Sequence, residues 1–257
     1  PAADIYPAWS PDGSLIAFLS DRDDMLSQLY VMEPDGRHVR RLTDGSGMVY
    51  GTPAWSPDGT RIAFATAQQF TSNISNTLSI SAIASGECVT LAAHTPGILN
   101  MDWSPDGRRI AYQTSQWGAS RLYIIDAEGG TPEEPLADAA WGGNPLQAPA
   151  WPRWSPDGRF LAFQAHVGDV FEVDIFTLEV ASGRLRNLTQ SPGNDANPAW
   201  SADGSHLLFQ SWRSQPGGAE IYLMRLPDDP DTPGQEVRRL SHHQYDDWEP
   251  LWLPAGS

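Results

Sequence analysis

Trp9-Ser10-Pro11-Asp12-Gly13 is the stretch that decides the fold, because it recurs at residues 55–59, 103–107 and 154–158. Trp200-Ser201-Ala202-Asp203-Gly204 keeps it with one change, and Trp252-Leu253-Pro254-Ala255-Gly256 is a worn copy. The six tryptophans at 9, 55, 103, 154, 200 and 252 are spaced by 46, 48, 51, 46 and 52 residues. Self-similarity at such a period marks a repeat architecture. Pro fixes φ at the first corner of a type I turn, Asp suits the second corner, and Gly accepts the left-handed conformation that follows. That is the chemistry of a short β-hairpin with a bulge.

Apolar runs follow each turn: Leu15-Ile16-Ala17-Phe18, Arg61-Ile62-Ala63-Phe64, Arg109-Ile110-Ala111-Tyr112, Phe160-Leu161-Ala162-Phe163 and His206-Leu207-Leu208-Phe209. A second run follows, as in Leu29-Tyr30-Val31-Met32 and Ile221-Tyr222-Leu223-Met224, and a shorter one ends near Leu42-Thr43, Leu91, Leu136, Leu188-Thr189 or Leu240-Ser241. Four strands per unit of this length predict all-β architecture with β-propeller blades. The expected blades are residues 4–44, 51–93, 100–138, 151–190 and 197–241, with an insertion at 139–149. Residues 246–252 repeat the inner strand alone.

The repeat Pro-x-Trp-Ser-Pro-Asp-Gly-x-x-Ile-Ala-Phe, then Leu-Tyr-Val-Met-x-x-Asp-Gly, then Arg-Arg-Leu-Thr, resembles the WD40-like (PD40) repeat of TolB-type β-propellers. The resemblance spans essentially the whole chain, read as a single domain over 1–257. It implies periplasmic or exported proteins that bind partners, and similar propellers serve as ancillary domains of serine peptidases. Propellers of this type usually have six blades closed by strands from both chain ends. Five complete blades and a lone sixth inner strand therefore lead to a six-bladed plan, its remaining strands placed before Pro1 or supplied by a strand-completing partner. A five-bladed ring with the tail strand packed elsewhere is the alternative.

Bulk composition narrows the function classes. With 16 Lys+Arg against 32 Asp+Glu the net charge is −16, a surface that repels nucleic acid. Cations, basic peptides and neutral sugars stay open as ligands. No apolar run approaches the ~20 residues of a membrane helix, and no signal peptide is visible, although the chain begins at Pro1 without Met. The lone Cys88 excludes an intrachain disulfide framework. There is no Gly-x-Ser-x-Gly elbow and no Gly-rich phosphate loop.

Two constellations are candidate sites, both expected at the end of the blades opposite the Asp-Gly turns, where loops vary. Trp117, Trp141, Trp151, Trp212 and Trp248 fall in or beside those loops, where exposed rings suit sugar stacking or peptide anchoring; the bland reading is that they cap the blades. Asp4, Asp195 and Asp247 stand five residues before a repeat Trp, and Asn197 and Glu249 three before it. Their oxygens suit Ca²⁺ in the central channel, or Mg²⁺ or an ammonium; the bland reading is turn hydrogen bonding. His94, His166, His242 and His243 are placed on the same side, but metal residues of the lyases among similar propellers find no counterparts here. The function expected is a non-catalytic propeller, periplasmic or extracellular, that recognises a protein, peptide or glycan. The alternatives are a carbohydrate hydrolase or lyase using channel carboxylates, and an accessory domain of a larger enzyme or receptor.

Overall fold

The computed structural model describes all residues except 1, 24, 69–74, 95–96, 117–118, 169–171, 215–217, 228–233, 242–249 and 251–257. Twenty strands and no helix are found among the described residues. The first sheet is β1 (Asp4–Trp9), β2 (Ile16–Ser20), β3 (Gln28–Met32) and β4 (Arg40–Arg41), in that order. The second is β5 (Met48–Trp55), β6 (Arg61–Gln68), β7 (Ser75–Ala82) and β8 (Cys88–His94). The third holds β9 (Gly97–Trp103), β10 (Arg109–Gln116) and β11 (Ala119–Asp126). The fourth runs β12 (Ala140–Trp141), β13 (Asn144–Trp154), β14 (Phe160–Val167), β15 (Asp174–Glu179) and β16 (Arg184–Asn187). The fifth is β17 (Asp195–Trp200), β18 (His206–Ser211), β19 (Glu220–Arg225) and β20 (Gln235–Arg239). Each sheet is one propeller blade. The chain divides into two compact units, residues 1–118 with 123–133 and residues 119–122 with 134–257.

The repeated turn forms for the reasons read from its residues. Gly13 N–H donates to the Ser10 carbonyl at 2.9 Å with Gly13 at φ 69°, so the only residue needing a left-handed backbone is the glycine. Ser10 is buried; its Oγ donates to Asp12 Oδ1 at 2.6 Å and accepts from Leu15 N–H at 2.9 Å. The same pair of bonds recurs at Ser56, Ser104, Ser155 and Ser201. In these five copies the serine hydroxyl joins the turn carboxylate to the next strand.

Neighbouring blades within a unit are joined by the motif tryptophan. Trp55 Nε1 donates to the Ala8 carbonyl at 2.9 Å, Trp103 Nε1 to Ala54 at 3.0 Å, and Trp200 Nε1 to Arg153 at 3.0 Å. Each acceptor is the residue just before the preceding blade's motif tryptophan. The turns abut as well: a Cβ on Gly59 would lie 3.8 Å from Pro11 Cδ, and one on Gly204 3.7 Å from Pro156 Cδ. Between blades lie apolar clusters, such as Ala63, Ala65, Leu78 and Ile80 of the second sheet against Trp103, Ile110 and Tyr112 of the third.

The Leu-Thr that closes a blade has its own mechanism. Thr43 Oγ1 accepts from Leu29 N–H at 3.1 Å and donates to Gln28 Oε1 at 2.7 Å. Thr189 does the same between Ile175 N–H and Asp174, and Ser241 between Ile221 N–H and Glu220. The hydroxyl therefore pins the outermost strand to the head of the third.

Two expectations need correction. The third blade has three strands among the described residues, and its fourth shrinks to the bridge Ile124↔Glu133. Pro132 and Pro135 flank that bridge and offer no N–H for a ladder. The insertion at 139–149 is a fifth strand rather than a loop: β12 pairs with the head of an eleven-residue β13. Gly142 and Gly143, at φ 59° and 83°, form its two-residue turn, which demands positive φ at both positions. Trp151, expected in or beside a loop and as the first residue of this blade, lies within β13.

Two tests follow from this geometry. Trp9 is 58% exposed, whereas Trp103 is 5% exposed. Trp103→Phe is expected to cost about 1–2 kcal/mol by orphaning the Ala54 carbonyl, and Trp9→Phe next to nothing, in urea unfolding; equal costs would refute the interlock. The second concerns Asp58, whose pKa is held down to about 2 by the Ser56 hydroxyl, then by the Thr60 N–H and hydroxyl. A carboxyl lowered on folding stabilises above its unfolded pKa of ~3.9, and that contribution is lost as pH falls through the folded value. Ser56→Ala is expected to move the Asp58 titration upward in carboxyl NMR and to bring acid unfolding to higher pH.

Candidate functional site

At the end of the blades opposite the Asp-Gly turns, the first and fifth sheets carry one side-chain arrangement twice. In the fifth, Phe209 and Tyr222 face each other across β18 and β19, with ring centroids 5.9 Å apart. Arg213 lies over both rings, at 5.2 and 5.0 Å. Its Nη2 donates to Asp195 Oδ2 at 2.7 Å and its Nε to Ser211 Oγ at 2.9 Å. In the first, Arg22 lies over Phe18 and Tyr30 at 5.0 and 5.1 Å, donating to Asp4 Oδ1 at 2.8 Å and Ser20 Oγ at 3.0 Å. A planar, delocalised guanidinium can stack on rings and bridge a carboxylate at once.

The two copies differ in burial. The Asp195 side chain is fully buried and that of Asp4 is 54% exposed. Desolvation pushes the Asp195 carboxyl up, against the pull of Ser211 and Arg213. Asp4 is drawn down, first by Ser20 and then by Arg22. Tyr30 donates to Asp23 Oδ2 at 2.7 Å, and burial together with that carboxylate pushes its phenol up to about 12.

Asn197 occupies the bulge that interrupts each inner strand. Tyr6, Asn100, Trp151 and Asn197, each three residues before a motif tryptophan, have φ of 54°, 40°, 56° and 53°, and asparagine tolerates that conformation best. Asn197 Nδ2 donates to Gln210 Oε1 at 2.8 Å, and its backbone N–H donates to Gln164 Oε1 of the fourth blade at 3.0 Å. Asn100 and Gln113 repeat the first of these bonds at 2.9 Å.

Of the predicted cation ligands, Asp4 belongs to the first unit, and Asp195 and Asn197 to the second; Asp247 and Glu249 lie outside the described residues. Asp4 Oδ1, Asp195 Oδ2 and Asn197 Nδ2 are engaged within their own blades, whereas Asp195 Oδ1 and Asn197 Oδ1 are buried without a hydrogen-bond partner among the described residues. Among the described residues no group of three or more His, Cys, Asp or Glu side chains could hold a metal ion. Of the predicted ring platforms, Trp117 and Trp248 lie outside the described residues. Trp141 sits on β12 beside the two-glycine turn. Trp151 is half-buried on β13, with the Arg153 guanidinium 5.9 Å from its ring. Trp212 follows β18 directly, and its N–H donates to the Asn194 carbonyl at 2.9 Å. Gly193 is forced there: a Cβ would sit 3.2 Å from Trp212 and Arg213 backbone. Among the histidines, His166 pairs with Gln147 on β14, while His242 and His243 lie outside the described residues.

The arginines escaped the sequence reading, although a signal existed. Ser20-Asp21-Arg22 and Ser211-Trp212-Arg213 begin the same eleven residues after Trp9 and Trp200.

Comparison with known proteins agrees with this geometry. The family described as PD40, TolB beta propeller domain, matches residues 98–257, more than half of the chain. The chain belongs to the TolB β-propeller family. An uncharacterised Agrobacterium fabrum protein is 29% identical over 140 residues, 54% of this chain and 42% of its own length. The Tol-Pal system protein TolB of Francisella tularensis is 30% identical over 83 residues, 32% of this chain and 18% of its own. The chain thus spans less than half the length of these relatives. TolB from Acinetobacter baumannii superposes with a TM-score of 0.68 at 19% identity, over 98% of this chain and 57% of that one. An oligogalacturonate lyase from Vibrio parahaemolyticus gives 0.71 at 14% identity, over 93% and 66%. At such identities both likenesses concern the fold.

Removing the two arginines should separate their roles. Arg213→Ala strands a buried carboxylate and is expected to cost about 3–5 kcal/mol, with the Asp195 titration driven further up. Arg22→Ala, beside the exposed Asp4, should cost under about 1 kcal/mol. Chemical denaturation reads both, and equal losses would overturn the assignment.

Proposed function

We propose that the chain is a non-catalytic binding propeller, one domain over 1–257, that recognises a protein or peptide partner at the end opposite the Asp-Gly turns. The observation that carries this reading is where the repeat is broken. The fourth blade alone among the described sheets gains a hairpin, β12–β13, with Trp141 beside its turn and a left-handed non-glycine residue outside the shared bulge, Ala148, in the strand that leads from it. Strained backbone of this sort clusters where binding is pre-organised. The backbone N–H of Trp212, in the neighbouring blade of the same unit, donates to the Asn194 carbonyl. Rigid rings with a polar tip are the usual anchors of an interface, and they suit a glycan face as well.

Family membership supports a partner-binding role in the periplasm, since the Francisella relative is named for the Tol-Pal system. The net charge of −16 favours a partner with basic groups. No helix among the described residues is long and apolar enough to cross a membrane. The reading involves neither a metal nor a reacting group.

A photo-crosslinking residue at position 212, in envelope extracts, should yield a discrete protein adduct that the same residue at Thr60, beside an Asp-Gly turn, does not. Against the partner so identified, Trp212→Ala should weaken binding by about 2 kcal/mol, roughly thirtyfold. Equal labelling at both positions, or turnover of polygalacturonate by the purified chain, would overturn the proposal.

A further inference from the structure

The link between the fourth and fifth blades, residues 191–194, holds the loop ends of both. Asn194 uses two different groups for this. Its backbone carbonyl accepts from the Trp212 N–H at 2.9 Å, just past the end of β18. Its side-chain Oδ1 accepts from the Val173 N–H at 3.0 Å, one residue ahead of β15. The next residue doubles the second contact, since the Asp195 N–H donates to the Val173 carbonyl at 2.7 Å. Asp195 is itself held from the fifth blade by Arg213 Nη2 at 2.7 Å and from the link by Ser191 Oγ at 3.2 Å. Gly193 lets the link come this close: at φ 97° a Cβ there would lie 3.2 Å from backbone atoms of Trp212 and Arg213.

The link between the first and second blades is built otherwise. The same backbone bond recurs there, from the Val49 N–H to the Ser27 carbonyl at 2.8 Å. The residue before Val49 is Met48, whose thioether is only a weak acceptor. The polar side chain at that junction belongs to the strand instead, with Gln28 Nε2 donating to the Gly47 carbonyl at 2.8 Å.

We propose that residues 191–194 are a clasp that makes the head of β15 and the end of β18 order and open together, as one rim element. The two acceptors of Asn194 branch from a single Cα, with only two side-chain torsions between them. A turn of the Asn194 backbone that releases Trp212 therefore swings Oδ1 away from Val173. Gly193 cannot absorb the movement, because the backbone of Trp212 and Arg213 lies against it. On the other side Asp195 ties the same segment to Val173 and Arg213 at once. Loops of two blades thus share one short support with two arrangements, which is the physical basis of coupling between neighbouring sites. Whatever fixes Trp212 fixes Val173 as well. The coupling is a property of the free chain and stands apart from the binding role proposed above.

Amide hydrogen exchange of the full chain, read residue by residue, tests it. Asn194→Ala deletes the bond to Val173 and leaves in place the carbonyl that holds Trp212. Both amides are expected to exchange about fivefold faster, while that of Leu208, in the middle of β18, keeps its rate. Asn194→Asp, which restores an acceptor oxygen, should slow both again. Acceleration at Val173 alone would make the two contacts independent and overturn the proposal. So would unchanged exchange at both amides, or an equal acceleration at Leu208, which would report loosening of the whole blade.

Discussion

A single hydrogen bond, from the indole N–H of a motif tryptophan to a carbonyl of the preceding blade, sets the geometry on which the rest depends. It is directional, it joins inner strand to inner strand, and it ties the indole to the backbone of the preceding blade. One such bond is worth only about 1 kcal/mol, but the ring that delivers it buries a large apolar area. The adjoining contact of Gly59 with Pro11 adds a second fixed point at the turn. Two points of attachment per interface leave little freedom for one sheet to slide on the next. A chain so built is nearly one-dimensional, its stability a sum of blades and nearest-neighbour interfaces. Its terminal faces are then where specificity of assembly must be supplied separately.

The two ends of each blade are secured by different physics. At the Asp-Gly end the bonds that shape the turn are local: serine, aspartate and the following residue lie within five positions of one another. At the other end of the first and fifth blades the anchor is an arginine that reaches eighteen positions back to an aspartate, across an aromatic pair. Much of the chain's positive charge is spent in such ways: Arg61 on Glu128, Arg121 on Glu134, Arg159 on Glu179 and Arg239 on Glu220. With cations sequestered in pairs, the excess of carboxylates is left to the solvent, and it defines the field that an approaching partner meets.

The fold was legible because its determinants are periodic and short-range. Turn type, strand order and the role of the motif tryptophan follow from five residues repeated at nearly constant spacing. What escaped reading depended on a single copy or on distance. The lost strand of the third blade is explained by Pro132 and Pro135, and the extra hairpin of the fourth by Gly142-Gly143, each overridden by the expectation that blades are alike. Trp151 was read as the start of its blade, in or beside a loop, because β13 begins well before its counterparts. The arginine anchors were invisible for another reason: whether Arg213 meets Asp195 depends on the register of a hairpin. Sequence placed both aspartates correctly at the heads of inner strands and could not say what would hold them.

Asp4 and Asp195 show why a repeated motif does not carry one function. The two share a position, an arginine, a serine and an aromatic pair, yet one carboxyl is pulled below its ordinary pKa and the other pushed above it. The difference is solvent alone. In the first blade the pair is wet, so its attraction is screened and its removal changes little. In the fifth the same pair is dry, and each ion is tolerable only because the other is present. The buried copy therefore constrains Ser191, Ser211 and the Trp212 backbone around it far more tightly than the exposed copy constrains its own loop. The binding role proposed above has a firmer base on the fifth blade than on the first, although their sequences advertise the same parts.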